Sequence, residues 1–273
     1  MWHASEDSGG KDSTFNMMKC VEAGHEVVAL ANLYPVGREE LDSYMYQSVG
    51  HDAIVDVAAC LGLPLYRRGI TGTPRNVAYA YAPTVADEVE DLHALLAQVC
   101  AAHPDVQGVS SGAIHSNYQR NRVEEVCARL GLSSVALLWG REQAALLDEM
   151  IEAGVHAVLI KTAVMGLGPA DLGRSLQEMR AKLLRLQDRH GVNVCGEGGE
   201  FESLTLDCPL YRHYRLEIVQ ADTITHRDDD LAPVVFFKIN QLRLVPKQPV
   251  PVQPGHVQPV PEQADHVPPQ PPQ

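Results

Sequence analysis

The segment Ser8-Gly9-Gly10-Lys11-Asp12-Ser13-Thr14, hereafter the glycine loop, decides how the fold of this chain is interpreted. It leads directly into residues 15–21, which have the pattern of an amphipathic helix that ends near Gly24. Glycines let a backbone turn tightly and approach a phosphate closely. The free N–H groups at a helix start attract anions. The alternative is a glycine turn that only caps a helix, but the combination favours an anion-binding loop.

The spacing within the glycine loop excludes two common phosphate-binding motifs. It matches neither the Walker motif G-x-x-x-x-G-K-[ST] nor the dinucleotide motif G-x-G-x-x-G. The order S-G-G-K-D-S resembles the pyrophosphate loop of the PP-loop ATPases. That resemblance implies cleavage of ATP between the α and β phosphates, with the adenylyl group activating a carboxylate or a base oxygen.

Composition narrows the class of protein. The 273 residues, 45% of them hydrophobic, have room for one large or two modest domains. No apolar run is long enough for a membrane span, and the N-terminus lacks a signal-peptide pattern. A net charge of −13 disfavours general nucleic-acid binding. Six scattered cysteines favour reduced thiols over disulfides, zinc or iron–sulfur clusters, so we expect a cytoplasmic protein.

Strands and helices alternate through the first half of the chain, which predicts an α/β fold with a parallel sheet and helices on both faces. Predicted strands lie at 27–33, 63–66, 106–110, 135–139 and 155–161. Predicted helices lie at 41–61, ending at Gly62, and at 85–99, 116–130, 141–153 and 172–186, the last stopped by Gly191. From residue 192 the pattern changes to segments typical of antiparallel strands, at 214–219, 223–226 and 234–244.

Residues 1–7 do not fit this scheme. A phosphate loop in an α/β fold follows a buried strand, which should be rich in Val, Ile or Leu. The sequence Met-Trp-His-Ala-Ser-Glu-Asp has none of these residues. Either the strand is irregular, or this N-terminus is truncated, alternatively spliced or wrongly predicted. We favour the second group of explanations, and expect weakened folding or ATP binding.

Three regions follow from these patterns: a PP-loop ATP-binding domain at 1–140, whose first strand is missing or irregular, a substrate-binding domain at 141–246, and a tail at 247–273. The stretch from Val245 onward holds 10 of the 18 prolines, which excludes helices and interior strands. We expect a disordered, solvated tail, with a ligand for SH3 or WW domains as the alternative.

Two segments of the first domain carry candidate site residues. Residues 40–51 contain a polar aromatic cluster that could stack on a purine or simply line the sheet. Residues 108–124 pass from a strand through Ser-Gly-Ala into a helix with two arginines. Arg120 and Arg122 face different directions on a helix. One could meet a phosphate while the other pairs with Glu124 or Glu125, although a solvated basic helix start is an equal alternative.

Residues 195–203, hereafter the acidic segment, place three carboxylates on a glycine-rich backbone. Glu197, Glu200 and Glu202 could hold Mg²⁺ through oxygen ligands or face a cationic substrate. A solvated surface loop is the alternative. Glycines on both sides of the acids favour a functional role.

Taken in order, S-G-G-K-D-S-T, S-Y-M-Y-Q-S-V-G, S-S-G-A-I-H-S-N-Y-Q-R-N-R-V-E and G-E-G-G-E-F-E-S resemble the diphthine–ammonia ligase (diphthamide synthetase) family, from about residue 8 to 244. The resemblance implies a HUP-type α/β domain followed by a smaller α+β domain. It also implies the last step of diphthamide synthesis. There ATP adenylates the diphthine carboxylate on elongation factor 2, pyrophosphate leaves, and ammonia displaces AMP.

The resemblance also implies roles for particular residues. The catalytic set is Lys11, Asp12, Arg120 and Arg122. The ATP-binding set is Ser8, Gly9, Gly10, Lys11, Asp12, Ser13, Thr14, Ser111 and Gly112. The substrate-binding set is Tyr44, Tyr46, Gln47, Tyr118, Gln119, Glu197, Gly198, Gly199, Glu200, Phe201 and Glu202. Within these sets, Asp12 would hold Mg²⁺, and the three glutamates with Phe201 would attract the trimethylammonium group of diphthine.

The expected ligands are therefore ATP, Mg²⁺, ammonium and elongation factor 2 carrying diphthine, with no membrane and no general nucleic-acid partner. A PP-loop enzyme that modifies tRNA is one alternative, which the acidic charge and the lack of a paired-cysteine motif disfavour. A non-catalytic nucleotide-binding module is another, which the unusual N-terminus keeps open. The ligase hypothesis requires the glycine loop and the acidic segment to face one cleft.

Overall fold

The computed structural model describes residues 2–6, 9–37, 45–47, 49–229 and 231–247, the first of these ranges by its backbone alone. Ser8, Tyr44 and residues 248–273 of the tail predicted at 247–273 lie outside these ranges. No helix within them is long and apolar enough to cross a membrane. Two sheets organise the described chain, one parallel and one antiparallel.

The first sheet has five parallel strands in the order β3-β2-β1-β4-β5. Its strands are β1 (Trp2–Glu6), β2 (Glu26–Pro35), β3 (Leu65–Ile70), β4 (Gly108–Ser110) and β5 (Ser133–Val135). Its helices are α1 (Lys11–Glu22), α2 (Ile54–Leu61), α3 (Glu88–Ala102) and α4 (Asn117–Leu130). The chain runs outward from β1 to β3 and then returns to β4 on the other side. The strand order therefore reverses between β1 and β4, which is where ligands bind in open α/β sheets.

Helices cover both faces of this sheet, as predicted. Successive side chains of a strand point to opposite faces, and the residues of β2 divide accordingly. Leu30 packs with Met17 of α1 and Ala58 of α2. Ala29 and Ala31 pack instead in the cluster that contains the buried faces of α3 and α4. The expected α/β fold is confirmed.

The expectation that the first strand is missing is wrong. Trp2–Glu6 forms β1 at the centre of the sheet, paired in parallel with both β2 and β4. The strand is irregular, because its register against β2 shifts between His3 and Ala4. Strand propensity depends strongly on context, and hydrogen bonding along both edges holds a strand whose sequence lacks β-branched residues.

Several predicted helix boundaries are confirmed by their caps. Ser116 precedes α4, and its side chain accepts a hydrogen bond from the backbone N–H of Gln119 at 3.3 Å. Gly62 follows α2 in the left-handed conformation, with φ of 68°. Gly191 ends the last helix in the same way, with φ of 70°. These signals are local, so the sequence contains them.

The second sheet has four antiparallel strands in the order β7-β6-β9-β8. Its strands are β6 (His156–Thr162), β7 (Phe201–Asp207), β8 (Tyr214–Arg227) and β9 (Val234–Pro246), and its helices are α5 (Gln143–Glu152) and α6 (Leu176–His190). The sequence did not predict β7, and it divided β8 into two strands. Residues 136–139, predicted as strand, lie beyond the end of β5.

The two sheets share one hydrophobic core. Phe15 of α1 and Ile54 of α2 belong to the same buried cluster as Leu204 of β7 and Phe236 of β9. The backbone N–H of Thr205 donates to the carbonyl of Gly9 at 2.8 Å. The glycine loop is therefore held between the two sheets. The boundary near residue 140 stays a prediction, and it falls between β5 and α5.

Candidate functional site

A cavity of about 1070 Å³ opens at the carboxyl ends of the parallel strands, between the two sheets. It is lined from the first half by 12–13 at the start of α1, 31–33 at the end of β2, 45–47, and parts of 111–123. From the second half it is lined by 195–199, Phe201 and Glu202 and by residues of β6, β8 and β9. The glycine loop and the acidic segment thus face one cavity, as the ligase hypothesis requires.

The turn that leads into α1 needs a glycine at position 9. Gly9 has φ of 75°, in the left-handed region. A Cβ on Gly9 would also lie 3.1 Å from Ile54 Cδ1 and 3.3 Å from Leu204 Cδ1. Gly10 then caps the helix in an extended conformation, without a side-chain cap. The start of α1 thereby points its N-terminal end toward the cavity.

Gly112 brings the turn after β4 against the start of α1. A Cβ on Gly112 would lie 2.6 Å from the backbone nitrogen of Ser13 and 2.8 Å from the carbonyl carbon of Asp12. Ser111 lines the cavity beside it. Ser111 and Gly112, which follow β4 and are predicted to bind the nucleotide, therefore lie beside the glycine loop. This is the point where the strand order reverses.

Lys11 is buried, and its ammonium group is bound by the protein itself. Nζ donates to Asp12 Oδ2 at 2.7 Å and to the carbonyl of Cys195, and it lies 4.9 Å from the ring centre of Phe201. Burial alone would lower the pKa of Lys11, but Asp12 and the groups of the acidic segment raise it above the ordinary value. Lys11 is not among the lining residues, so it joins the glycine loop to the acidic segment.

The two carboxylate oxygens of Asp12 differ in their hydrogen bonding. Oδ2 accepts from Lys11, whereas Oδ1 has no hydrogen-bond partner among the residues that the structure describes. Burial raises the pKa of Asp12, and the charge of Lys11 opposes that rise. Since Asp12 lines the cavity, Oδ1 suits a cation that arrives with a ligand.

The donor set fits Mg²⁺ only together with a nucleotide. Among the described residues, no cluster of three or more His, Cys, Asp or Glu side chains could hold a metal ion. Mg²⁺ characteristically takes one or two protein carboxylates and completes its shell with phosphate oxygens and water. Asp12 Oδ1 meets that requirement, and a metal site made by protein ligands alone does not.

The two hydroxyl residues that end the glycine loop differ in placement. Ser13 lines the cavity, and its Oγ donates to the carbonyl of Gly10 at 3.1 Å. Thr14 is buried away from the lining, and its Oγ1 donates to Thr205 Oγ1 of β7 at 3.1 Å. The expected nucleotide contact of Thr14 is therefore not supported, because its hydroxyl joins α1 to the second sheet.

Neither predicted arginine reaches the cavity. Arg122 is fully buried, and its guanidinium donates to the carbonyls of Tyr118, Asn76 and Ala78. Arg120 Nε donates to Glu124 Oε1 at 2.6 Å, as one alternative predicted. A phosphate contact of Arg122 is not supported, because its terminal nitrogens donate to the carbonyl of Tyr118 and to two carbonyls of the loop before α3.

We expect Arg122→Lys to lower the free energy of unfolding by about 2 kcal/mol, because a lysine cannot span several carbonyls and leaves buried acceptors unpaired. Arg120→Ala should cost less than about 1 kcal/mol, since it removes an exposed ion pair. Urea denaturation of both variants measures this difference. Loss of ATP affinity in Arg120→Ala at unchanged stability would instead restore a phosphate role for that residue.

The three carboxylates of the acidic segment diverge. Glu197 Oε1 accepts from the backbone N–H of Ile114 at 3.2 Å, and burial together with the charge of Asp12 raises the pKa of Glu197. Glu200 accepts from the backbone N–H of Asn193 at 2.6 Å and is absent from the lining. Glu202 lines the cavity and accepts from Lys161 Nζ at 3.0 Å. Among the described residues these glutamates form no shared metal site, and a substrate contact of Glu200 is not supported.

Most other predicted substrate residues do line the cavity. Gln47 Nε2 donates to the carbonyl of Ser203 at 3.1 Å, and Gln119 Nε2 donates to the carbonyl of Met45 at 2.8 Å. These bonds hold the described residues 45–47 between α4 and β7. Residues placed in the lining as expected are Tyr46, Gln47, Tyr118, Gln119, Glu197, Gly198, Gly199, Phe201 and Glu202. The ring of Phe201 has Lys11 as its cation, so its predicted cation–π contact with the substrate is not supported.

Sequence reasoning did not assign five polar residues of the cavity wall to the site, Asn32, Ser116, Lys161, His226 and Arg227. Two of them carried a usable signal. Asn32 is the one polar residue in the apolar run 27–33, and Lys161 ends the apolar run 157–161. A polar side chain near the carboxyl end of a buried strand is a candidate site residue, because such ends carry ligand sites.

Cys195 also lines the cavity, and its thiol is buried and hydrogen-bonded. Its Sγ donates to the carbonyl of Gln143 at 3.4 Å, and burial raises its pKa to about 12. A nucleophilic cysteine needs a depressed pKa, so a sulfur-transfer role does not fit this residue.

We expect Cys195→Ser to keep AMP formation within about threefold of the unchanged protein, since loss of a buried thiol donor is a small perturbation. We also expect iodoacetamide at pH 8 to leave Cys195 unmodified in the folded chain. Peptide mass analysis after alkylation and an AMP assay measure the two effects. Rapid alkylation of Cys195, with loss of turnover, would indicate a reactive thiol.

Comparisons with known proteins show the family to which the chain belongs. The diphthamide synthase N-terminal domain matches residues 1–134, and the diphthamide synthase C-terminal domain matches residues 142–235. A diphthine–ammonia ligase from Danio rerio is 53% identical over 247 residues, covering 89% of this chain and 96% of that protein. The one from Homo sapiens is 49% identical over 245 residues, covering 88% and 91%. The one from Schizosaccharomyces pombe is 52% identical over 225 residues, covering 82% of this chain but 37% of that protein. The chain therefore belongs to the diphthamide synthase family.

Proposed function

We propose that this protein is a diphthine–ammonia ligase. It uses ATP to convert the carboxylate of diphthine on elongation factor 2 into the amide, through an acyl-adenylate, with release of pyrophosphate and AMP. One observation carries the assignment in a chain of this family. The glycine loop and the acidic segment, in which Lys11 and Cys195 are 184 residues apart, contact each other and line one cavity.

The phosphates of ATP belong at the start of α1. The positive end of the helix dipole favours an anion there. Gly112 keeps a side chain away from this backbone, and Gly9 permits the left-handed turn that leads into it. Fixed donors matter most where charge develops, which in this reaction is the departing pyrophosphate. Asp12 is the residue that would hold Mg²⁺, which would neutralise phosphate charge when bound.

The base of ATP suits the apolar side of the cavity. Ala31 and Leu33 at the end of β2, with Met45, line that side. This position lies beside the glycine loop, because β2 is the neighbour of β1. The remaining wall, formed by the acidic segment and the second sheet, is then left for the acceptor group.

The acceptor needs positioning more than activation. A carboxylate is already ionised at neutral pH, so its attack on the α-phosphorus does not require a general base. Holding two reactants in the correct geometry supplies much of the rate increase. The acidic net charge of the protein also suits a basic region of a translation factor.

The test is incubation of the protein with ATP, Mg²⁺, ammonium and elongation factor 2 that carries diphthine. The expected result is AMP release that requires both the factor and ammonium, together with a mass change of the factor by conversion of acid to amide. AMP formation driven by tRNA would identify a tRNA-modifying enzyme. Binding of ATP without turnover under every condition would identify a nucleotide-binding module.

A further inference from the structure

An ion pair lies in the cavity wall on the side of the second sheet. Lys161 of β6 and Glu202 of β7 are directly opposed across the two antiparallel strands. Lys161 Nζ lies 3.0 Å from Glu202 Oε1, and the side chains are 13% and 12% exposed. Both residues line the cavity. The pair therefore presents a positive and a negative group side by side to a ligand in the part of the cavity that the second sheet lines.

Such a pair is a weak source of stability. Removing two charges from water costs about as much as their attraction returns, so a nearly buried pair often adds little to folding. The other carboxylates of the lining are held differently. Asp12 is bound to Lys11, and Glu197 accepts from the backbone N–H of Ile114. Lys161 and Glu202 thus form a distinct patch of paired charge, next to the acidic segment.

We propose that Lys161 and Glu202 together bind the zwitterionic end of diphthine. Lys161 receives the carboxylate that is to be adenylated, and Glu202 receives the adjacent trimethylammonium group. This inference rests on the proposed ligase function and names the residues that select its substrate. Of the three glutamates in the acidic segment, the proposal assigns Glu202 to the trimethylammonium group. Glu200 accepts a hydrogen bond from Asn193, and Glu197 lies beside the glycine loop.

The pair also explains how substrate would be distinguished from product. Amidation removes the negative charge of the acceptor and leaves its quaternary ammonium unchanged. Hydrogen bonds from a cation to a carboxylate are roughly twice as strong as neutral ones. Lys161 therefore favours diphthine over diphthamide, while Glu202 attracts both. Specificity of this kind is a difference between two affinities.

The test compares three double variants with the unchanged protein. Lys161→Met with Glu202→Gln removes both charges and leaves neither one buried alone. Lys161→Glu with Glu202→Lys keeps an ion pair but reverses it. Lys247→Met with Asp207→Asn is the matched control, since that pair also involves β7, has an Nζ–Oδ1 distance of 2.6 Å and is absent from the cavity lining. The measurement is the Kd for elongation factor 2 carrying diphthine and carrying diphthamide, without ATP, with Tm and the KM for ATP recorded alongside.

We expect the unchanged protein and the control to bind the diphthine form more tightly than the diphthamide form. The neutral variant should bind the diphthine form about 10- to 100-fold more weakly, the range for a lost hydrogen bond to a charged group. It should lose its preference between the two forms while Tm and the KM for ATP stay nearly constant. The reversed variant should behave like the neutral one.

An unchanged preference in the neutral or the reversed variant would overturn the assignment of the pair. So would a loss confined to ATP affinity, which would place Lys161 at the nucleotide. Failure of the proposed function looks different. In that case the unchanged protein itself forms no AMP with diphthine-bearing factor and ammonium.

Discussion

Asp12→Asn should lower AMP formation by about 100- to 1000-fold, the effect of removing one fixed group that stabilises transition-state charge. The reason is Oδ1 of Asp12, a buried oxygen without a hydrogen-bond partner among the described residues, on a side chain that belongs to the cavity lining at the start of α1. An amide at this position would bind a magnesium–nucleotide complex poorly. The measurements are single-turnover AMP formation and the Mg²⁺ concentration needed for half-maximal ATP binding, which should rise.

At position 12 asparagine is a more informative substitution than alanine, because the buried ammonium of Lys11 donates a hydrogen bond to this side chain. Asp12→Ala would remove the carboxylate partner of the Lys11 ammonium and leave it with the Cys195 carbonyl and the ring of Phe201, at a cost of about 3 kcal/mol or more in stability. Asp12→Asn keeps an oxygen acceptor for Nζ, so a loss of turnover can be separated from unfolding. Asp148→Asn, which weakens an exposed ion pair with Arg180, is the matched control. Normal turnover in Asp12→Asn would remove this residue from the chemistry.

Gly112→Ala should abolish ATP binding at concentrations that saturate the unchanged protein. The new Cβ would lie 2.6 Å from the nitrogen of Ser13, so backbone must move on one side or the other. Overpacking of this kind costs about 1–3 kcal/mol, and here the displaced atoms are the start of α1. Calorimetric ATP titration measures the loss of ATP affinity, and thermal denaturation measures the loss of stability. We expect the loss of ATP affinity to be the larger effect.

Gly168→Ala is the control for that experiment. Gly168 has φ of −167°, an extended conformation open to any residue, and no atom lies within 4 Å of an added Cβ. We expect nearly unchanged Tm and ATP affinity in this variant. Equal ATP affinity in Gly112→Ala and Gly168→Ala would show that the contact between the β4 turn and α1 does not shape the nucleotide site.

The elements that the sequence predicted well are those with local signals. Ser116 caps α4 through its own side chain, and Gly62 and Gly191 end their helices in a left-handed conformation. The apolar run 27–33 marks β2 because a strand covered on both faces needs apolar side chains throughout. Each of these features depends on a few neighbouring residues, so one sequence is enough.

The strands that the sequence did not predict are held by distant partners. β1 is stabilised by pairing with β2 and β4 on its two edges, and its own residues carry no strand signal. β7 begins within the acidic segment, where glycines and acids suggest a loop, and it forms because β6 lies alongside. Tertiary pairing overrides local propensity in both cases.

Side-chain direction limited the prediction of the site in the same way. The sequence placed Arg120 and Arg122 near a phosphate, yet the loop before α3 supplies the carbonyls that bind Arg122. It also grouped Glu200 with Glu202, although only Glu202 faces the cavity. Residue type and spacing select the segment that forms a site. Which member of the segment points into it depends on contacts with the rest of the fold.

The bonds between the glycine loop and β7 also bear on how the chain matures as it is made. Lys11 N–H donates to Ser203 Oγ, Thr14 to Thr205 Oγ1, and Thr205 N–H to the carbonyl of Gly9. Contacts so distant in sequence are slow to form. During synthesis from the N-terminus, the ribosome must have released residue 205 before the loop near residue 10 can take its final shape. The glycine loop is therefore translated well before it can reach its working form.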